Sequence, residues 1–392
     1  VKYDAVIVGA SIAGLYAGMK LAQNNWRVCI VDRRAHIGMP VRCGEATGNR
    51  AELARFVTLD ESWIAREVRG LTVHLNDTHT FTREIPGAGL VLRRDRFERQ
   101  LAHAAQRNGA QIILNTLAIG LERGNRTVQG IMLENGSVVE ASVVVGADGA
   151  ESNVGQWAGI TKPLTLQEAF SSVQYTFESD FPSDGFLHFY VGSRIIPKGY
   201  IWAFPKADHT ISVGAGLFGT HHALPKARHF LDAFVSSKLP GTAPGAPITG
   251  CVPLAVCPTL LARQNVVVVG DAARQCNPLT AGGIMNALEA ADLAANRLLQ
   301  CGRPPKTLKP LGRYSCGWAR KPRREQKLFL VLQKAFLSLS DAEIARAIAT
   351  ASTVFAGRLD RSRPFTFPLL KSVRMFIAFL PRVARHLGVL FE

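Results

Sequence analysis

A chain of 392 residues with 47% apolar content can bury large cores, which excludes a disordered protein and leaves room for two or three domains. Its 46 Lys and Arg outweigh 30 Asp and Glu by +16, pointing to an anionic partner. Zinc-finger spacing, an RNP-like aromatic motif and a helix-turn-helix pattern are all missing, so a phospholipid surface or a phosphorylated substrate suits that charge better than nucleic acid. The 7 cysteines are scattered without a C-x-x-C pair, which argues against a disulfide framework or a zinc site and predicts a reducing compartment. No secretory pattern opens the sequence, and no apolar run approaches the roughly 18 residues of a spanning helix. The expectation is a cytoplasmic protein, peripheral on the inner face of the membrane where it meets one, and free of metal.

The first element predicted is a strand at residues 3–8, followed by the turn Gly9-Ala10-Ser11-Ile12-Ala13-Gly14, a helix over 12–23 and a second apolar run, 28–31, ending at Asp32. This reads as a βαβ unit for a dinucleotide. Gly9 allows the tight turn and Gly14 close helix packing. The N–H groups around Ile12 and Ala13 face a pyrophosphate, and Asp32 is placed to accept from ribose hydroxyls. Ser11 stands where the G-x-G-x-x-G pattern has its middle glycine. A parallel βαβ unit without a ligand is the alternative.

A turn-rich loop, residues 33–45, follows. It carries Arg33, Arg42, Cys43 and Gly44; a neighbouring cation favours the reactive thiolate, so Cys43 is either a reactive thiol or an inert loop residue. Residues 51–69 carry mixed helical signals, and 71–75 with 78–85 alternate like strands. A strand at 90–92 runs into a helix with Asp95 as a plausible N-cap, and Arg94 either reaches a cofactor phosphate or belongs to a solvated first turn. Strands are expected at 111–114, 127–133 and 138–140, with an Asn135-Gly136 turn, and a buried strand ends at Asp148-Gly149. Asp148 is either a ligand-facing carboxylate at a strand end or a loop cap.

Between residues 169 and 217 the pattern changes to aromatic-rich antiparallel strands. Tyr200, Trp202 and Phe204 share one strand face and form either a core stripe or a pocket wall. The run 266–269 is again a buried strand, ending at Gly270-Asp271. Pro278 and then Gly282-Gly283-Ile284 lead into a helix to about Leu299, whose start offers N–H donors to a flat ring. Beyond Pro304-Pro305 the chain is basic and helical. Its end, 369–391, reads as a basic amphipathic segment interrupted by Pro381, suited to a membrane surface or to a solvated cap.

Over residues 2–299 the chain resembles FAD-dependent oxidoreductases of the para-hydroxybenzoate hydroxylase fold, and within them the geranylgeranyl reductase family. Two passages carry the resemblance: Cys43-Gly44-Glu45, and Pro197-x-x-Tyr200-x-Trp202-x-Phe204-Pro205. It implies an α/β fold in which a Rossmann-like FAD-binding domain (residues 1–70, 90–165 and 260–300) is interleaved with an antiparallel-sheet substrate domain (71–89 and 166–259). A basic helical C-terminal region (301–392), outside the stretch that carries the resemblance, follows. FAD is expected on Gly9, Ser11, Ile12, Ala13, Gly14, Asp32, Arg33, Arg42, Cys43, Gly44, Arg94, Asp148, Gly270, Asp271, Gly282, Gly283 and Ile284. Tyr200, Trp202, Phe204 and Pro278 are expected to line a prenyl-chain cavity, with Cys43 assisting catalysis.

The implied reaction saturates C=C bonds of a prenyl chain on a lipid or isoprenoid, by hydride from reduced flavin N5 plus a proton. No second dinucleotide motif is visible, so NAD(P)H and ferredoxin both stay open as the external reductant. An FAD-dependent aromatic or lipid monooxygenase of the same fold is one alternative; a non-enzymatic flavoprotein binding lipid at a membrane surface is another. Halogenation is disfavoured by the missing W-x-W-x-I-P motif and by the absence of lysine between Lys20 and Lys162.

Overall fold

The computed structural model describes residues 2–355 except 126, 180, 183, 220–224, 243, 304, 306 and 321. The basic segment expected at 369–391 lies outside the described residues. The described residues form two compact units, one from 2–41, Arg94–Glu168 and Val252–Gln326, the other from Arg42–Arg93, Ala169–Cys251 and 327–355.

The first unit is built on a parallel sheet with strand order Val266–Val268, Val138–Gly146, Tyr3–Val8, Val28–Val31, Gln111–Ile113. Val6 lies between Cys29 and Val144 in the register. The inner strands are Val/Ile runs with no polar face because both sides of the sheet are covered. The first crossover is the helix Ile12–Gln23. Gly9, at φ +110°, makes the turn into it; a Cβ there would stand 2.2 Å from the Ala147 carbonyl oxygen, and one on Gly14 would stand 1.9 Å from that of Gly9.

Residues 301–326, expected in a separate C-terminal region, belong to this unit. The helix Lys309–Arg320 anchors them through buried Tyr314, whose hydroxyl donates to the Val268 carbonyl (3.0 Å) and accepts from Gln275 Nε2 (3.0 Å). The Gln326 amide donates to the Arg274 and Cys276 carbonyls.

The second unit carries a sheet with strands ordered Ala169–Glu178, Thr210–Phe218, Ile196–Pro205, Phe186–Gly192, Ile64–Leu75, His79–Leu92, Ala46–Thr47. Neighbours are antiparallel except Phe186–Gly192 and Ile64–Leu75, which run parallel. Residues 42–70, expected with the dinucleotide domain, group here because the strand starts at Ile64 and pairs on both sides. Irregular register between Ile64 and Arg66 and between Val68 and Gly70 breaks its alternation, which explains the helical signal over 51–69. Of that signal the helix Arg50–Leu53 remains, started by an Asn49/Glu52 capping box.

The two faces of this sheet differ. Val173, Tyr175, Phe177, Ile201, Ala203, Ile211, Val213 and Ala215 form one core with Leu231, Phe234 and Val235 of the helix Ala227–Lys238. By the period of two, Tyr200, Trp202 and Phe204 point to the other face.

Candidate active site

In the first unit the glycine-rich turn is ringed by charge. Ser11 is the N-cap of the helix Ile12–Gln23, yet its side chain makes no cap bond, which leaves the first-turn N–H groups available to an anion. Its hydroxyl donates to Glu98 Oε1 (2.7 Å) and accepts from Arg94 Nη2 (2.9 Å), while Arg94 Nε donates to the same Glu98 oxygen (2.9 Å). Asp32 accepts from the Ala10 N–H (2.6 Å) and is clamped by Arg34 through Nε (3.0 Å) and Nη2 (2.9 Å). Burial pushes the Asp32 carboxyl up, but the Arg34 bonds outweigh it and hold the group below its ordinary range. Arg34 thus occupies much of the accepting edge expected to serve a ribose.

Asp271, following the strand Val266–Val268, has no hydrogen bond to its carboxyl among the described residues. Burial pushes that carboxyl up against the opposing pull of Arg94 and Arg274. A Cβ on Gly283 would stand 3.4 Å from Asp271 Oδ1, and the helix Ile284–Leu299 beyond it starts without a side-chain cap. Asp148 accepts from the Val154 N–H through Oδ2 (3.0 Å), while its buried Oδ1 has no partner; burial pushes this carboxyl up too. Arg33 instead makes an exposed two-pronged pair with Glu151 (2.9 Å each). Pro278 belongs to this unit, whereas Arg42, Cys43 and Gly44 belong to the second.

In the second unit, Tyr200 lies opposite Gly216, Trp202 opposite Gly214 and Phe204 opposite Ser212. Bare backbone is the floor on which rings lie: a Cβ on Gly214 would stand 2.1 Å from Trp202 Cζ2, and one on Gly216 would stand 1.9 Å from Phe170 Cζ. Phe170 and Phe189 flank Tyr200 at centroid distances of 5.1 and 5.7 Å, and Phe189 meets Phe204 edge-on at 5.3 Å. The Cys43–Glu45 loop lies on this layer, since a Cβ on Gly44 would come 2.9 Å from Phe204 Cε2 and 3.1 Å from Trp202 Nε1. Cys43 is half-buried, and its Sγ accepts from the Glu45 N–H (3.1 Å). Burial, with the nearby Cys43 sulfur adding to it, pushes the Tyr200 phenol up.

Glu45 holds a left-handed backbone (φ +68°) and a buried ion pair with Lys206. Sequence reasoning missed Arg34, Glu98, Phe170, Phe189, the Gly214/Gly216 floor and the Glu45–Lys206 pair. The i,i+4 spacing of Arg94 and Glu98 and the G-x-G step inside a strand were the available signals.

An FAD site fits these residues on three counts. Carboxylates at 148 and 271 are left short of donors, the glycine cradle tolerates no side chain, and two helix starts are free of side-chain caps. Residues 2–202 match the FAD binding domain family, and residues 168–252 match the geranylgeranyl reductase catalytic domain. Together they define a flavin-dependent oxidoreductase.

Digeranylgeranylglycerophospholipid reductase of Methanothrix thermoacetophila is 32% identical over 92% of this chain and 94% of its own; that of Methanosarcina acetivorans is 33% identical over 87% and 86%. The solved structure of a geranylgeranyl bacteriochlorophyll reductase-like protein from Thermoplasma acidophilum superposes with a TM-score of 0.86 at 27% identity, covering 99% of each chain. The chain belongs to the geranylgeranyl reductase family. A flavin-dependent brominase, 14% identical with a TM-score of 0.69 over 97% of this chain and 94% of its own, shares the fold alone.

Proposed function

We propose that this protein saturates the C=C bonds of geranylgeranyl chains on a glycerophospholipid, with Cys43 as the proton-holding group and Tyr200, Trp202 and Phe204 as the surface the chain lies on. The observation that carries this reading is the aromatic layer with the Cys43–Glu45 loop seated on it. The names of the relatives supply the lipid.

FAD would be held by the turn Gly9–Gly14, Asp32, Arg94, Asp148, Gly270, Asp271 and the helix start Gly282–Ile284, and when bound it supplies a hydride to one alkene carbon. An isolated alkene has no carbonyl to absorb charge, so the other carbon needs an acid in a water-poor setting. Cys43 Sγ holds that proton, and the Glu45 N–H that it accepts from stabilises the sulfur once the proton has left. The rings exclude water and accept a flexible apolar chain without demanding a fixed pose.

A lipid with an anionic headgroup suits the +16 charge, and the same charge supports peripheral contact with an anionic membrane surface. No described helix is long and apolar enough to cross a bilayer. NAD(P)H or ferredoxin serves as the external electron donor.

The test offers FAD-loaded protein, chemically reduced, vesicles containing digeranylgeranylglycerophospholipid and follows hydrogen uptake by mass spectrometry. Uptake of two hydrogens per double bond is expected. No uptake, or oxygen insertion in place of hydrogen, overturns the reading. Cys43→Ala is expected to retain FAD and lose about 10²- to 10⁴-fold in turnover; full turnover in that variant removes the thiol from the chemistry.

A further inference from the structure

The glycine-rich turn departs from its pattern at one residue, and the structure gives that residue a partner. Ser11 replaces the glycine that would let the backbone approach a pyrophosphate most closely. Its hydroxyl is turned toward Glu98 and Arg94, forming a closed three-membered set with the Arg94–Glu98 ion pair. Glu98 is 1% exposed, and its second oxygen has no hydrogen bond and lies 3.6 Å from Arg34 Nη1. Arg34 Nη2 also donates to the Ala10 carbonyl (2.8 Å), so two guanidinium groups converge on the Ala10-Ser11 step. A buried carboxylate there is costly unless its cations stay in place, and a long arginine side chain is costly to immobilise unless something holds it.

We infer that Ser11 and Glu98 are positioning residues which hold the Arg94 guanidinium at the mouth of the phosphate-binding turn, ready for the cofactor's pyrophosphate. The inference rests on the FAD reading of this turn. Glu98 accepts from Nε and the Ser11 hydroxyl accepts from Nη2, so the guanidinium is gripped through two of its nitrogens. A fork fixed at two of its nitrogens loses little further freedom on meeting a phosphate, which is the gain from preorganisation. Ser11 thereby offsets what its Cβ costs in closeness of approach. A glycine at the same place would free the backbone and release one grip on Arg94.

The two possibilities have opposite signs. Were Ser11 only a tolerated departure, restoring the patterned glycine would tighten FAD. As a positioning residue, its loss weakens FAD. Apo-protein is titrated with FAD and binding is read from quenching of flavin fluorescence, with apo melting temperatures as the control for folding. Ser11→Gly and Ser11→Ala are each expected to weaken FAD about tenfold, the size of one hydrogen bond to a charged group, with apo melting unchanged.

Glu98→Gln is also expected to weaken FAD, although removing a negative charge near phosphates would tighten it by Coulomb's law alone; weakening therefore reports the release of Arg94. In an Arg94→Met background, Ser11→Ala is expected to have no further effect. Ser11→Gly binding FAD as tightly as wild type or more so, tightening by Glu98→Gln, or an undiminished Ser11→Ala effect without Arg94 each overturns the inference. Should Glu98→Gln fail to fold, the Ser11 and Arg94 variants decide alone. Wild-type protein that takes up no FAD overturns the cofactor reading together with this inference, whereas normal wild-type binding with an indifferent Ser11 overturns the inference only.

Discussion

The glycine-rich turn of the first unit and the aromatic layer of the second both depend on glycine, but for opposite purposes. At Gly9 and Gly14 the missing side chain lets backbone meet backbone, and the surrounding charges are locked by Asp32–Arg34 and Arg94–Glu98 pairs at about hydrogen-bond length. At Gly214 and Gly216 the missing side chain makes room for rings, whose contacts are dispersive and can slide. A cofactor with fixed charges calls for donors that do not move. A prenyl chain with many rotamers calls for a dry surface and little else. The same Gly→Ala change should therefore fail in different ways at the two places.

The largest effect is expected at Gly14→Ala. The new Cβ would be 1.9 Å from the Gly9 carbonyl oxygen, and neither backbone can rotate away. Destabilisation above about 4 kcal/mol, in the exceptional class for single changes, and loss of FAD are predicted, read by urea unfolding and flavin titration. A variant that melts normally and keeps FAD would break the contrast.

Gly214→Ala comes next. Its Cβ would be 2.1 Å from Trp202 Cζ2, a side-chain atom that can move at a cost of about 1–3 kcal/mol for overpacking. FAD should be retained while prenyl-lipid turnover falls about tenfold, the same energy range expressed as a rate; parallel loss of FAD and turnover would mean that the layer is as rigid as the turn.

How far each place could be read beforehand follows from where its partners lie in the chain. The first βαβ unit is local: a strand, a turn and a helix within some 30 residues carry their own periodicity and turn chemistry. Ser11 looked anomalous because its partner Glu98 lies 87 positions away and no periodicity connects them. Arg33 and Arg34 are indistinguishable as neighbours in sequence, yet one is spent on exposed Glu151 and the other on buried Asp32. The P-x-x-Y-x-W-x-F-P motif marked the rings, but not their floor, which exists only once strand register sets Trp202 against Gly214. Glu45 takes a left-handed backbone that its residue type does not advertise, and it is Lys206, far along the chain, that pairs with it. Local chemistry was legible; register and distant charge pairing were not.

The smallest effect sharpens the contrast from the cofactor side. Asp271 is a half-buried residue whose carboxyl has no hydrogen bond among the described residues, and its pKa is raised by desolvation despite Arg94 and Arg274. Because the folded value lies above the unfolded one, the stability linked to this group is fully present below the ordinary carboxylate value of about 4. It is lost as pH rises through the raised folded value. Apo wild type should therefore lose stability across that window, and Asp271→Asn should lose less.

On the FAD site proposed above, cofactor hydroxyls would donate to Asp271 and favour its charged form, so FAD affinity should rise over the same window in wild type and stay flatter in the variant. Asp148, raised in the same direction by burial, leaves a residual slope in both proteins, and the difference between the two melting curves isolates Asp271. Identical slopes would place the pH sensitivity elsewhere. A flat wild-type FAD profile with a sloping apo stability would mean that the carboxylate is a buried cost that the cofactor does not relieve.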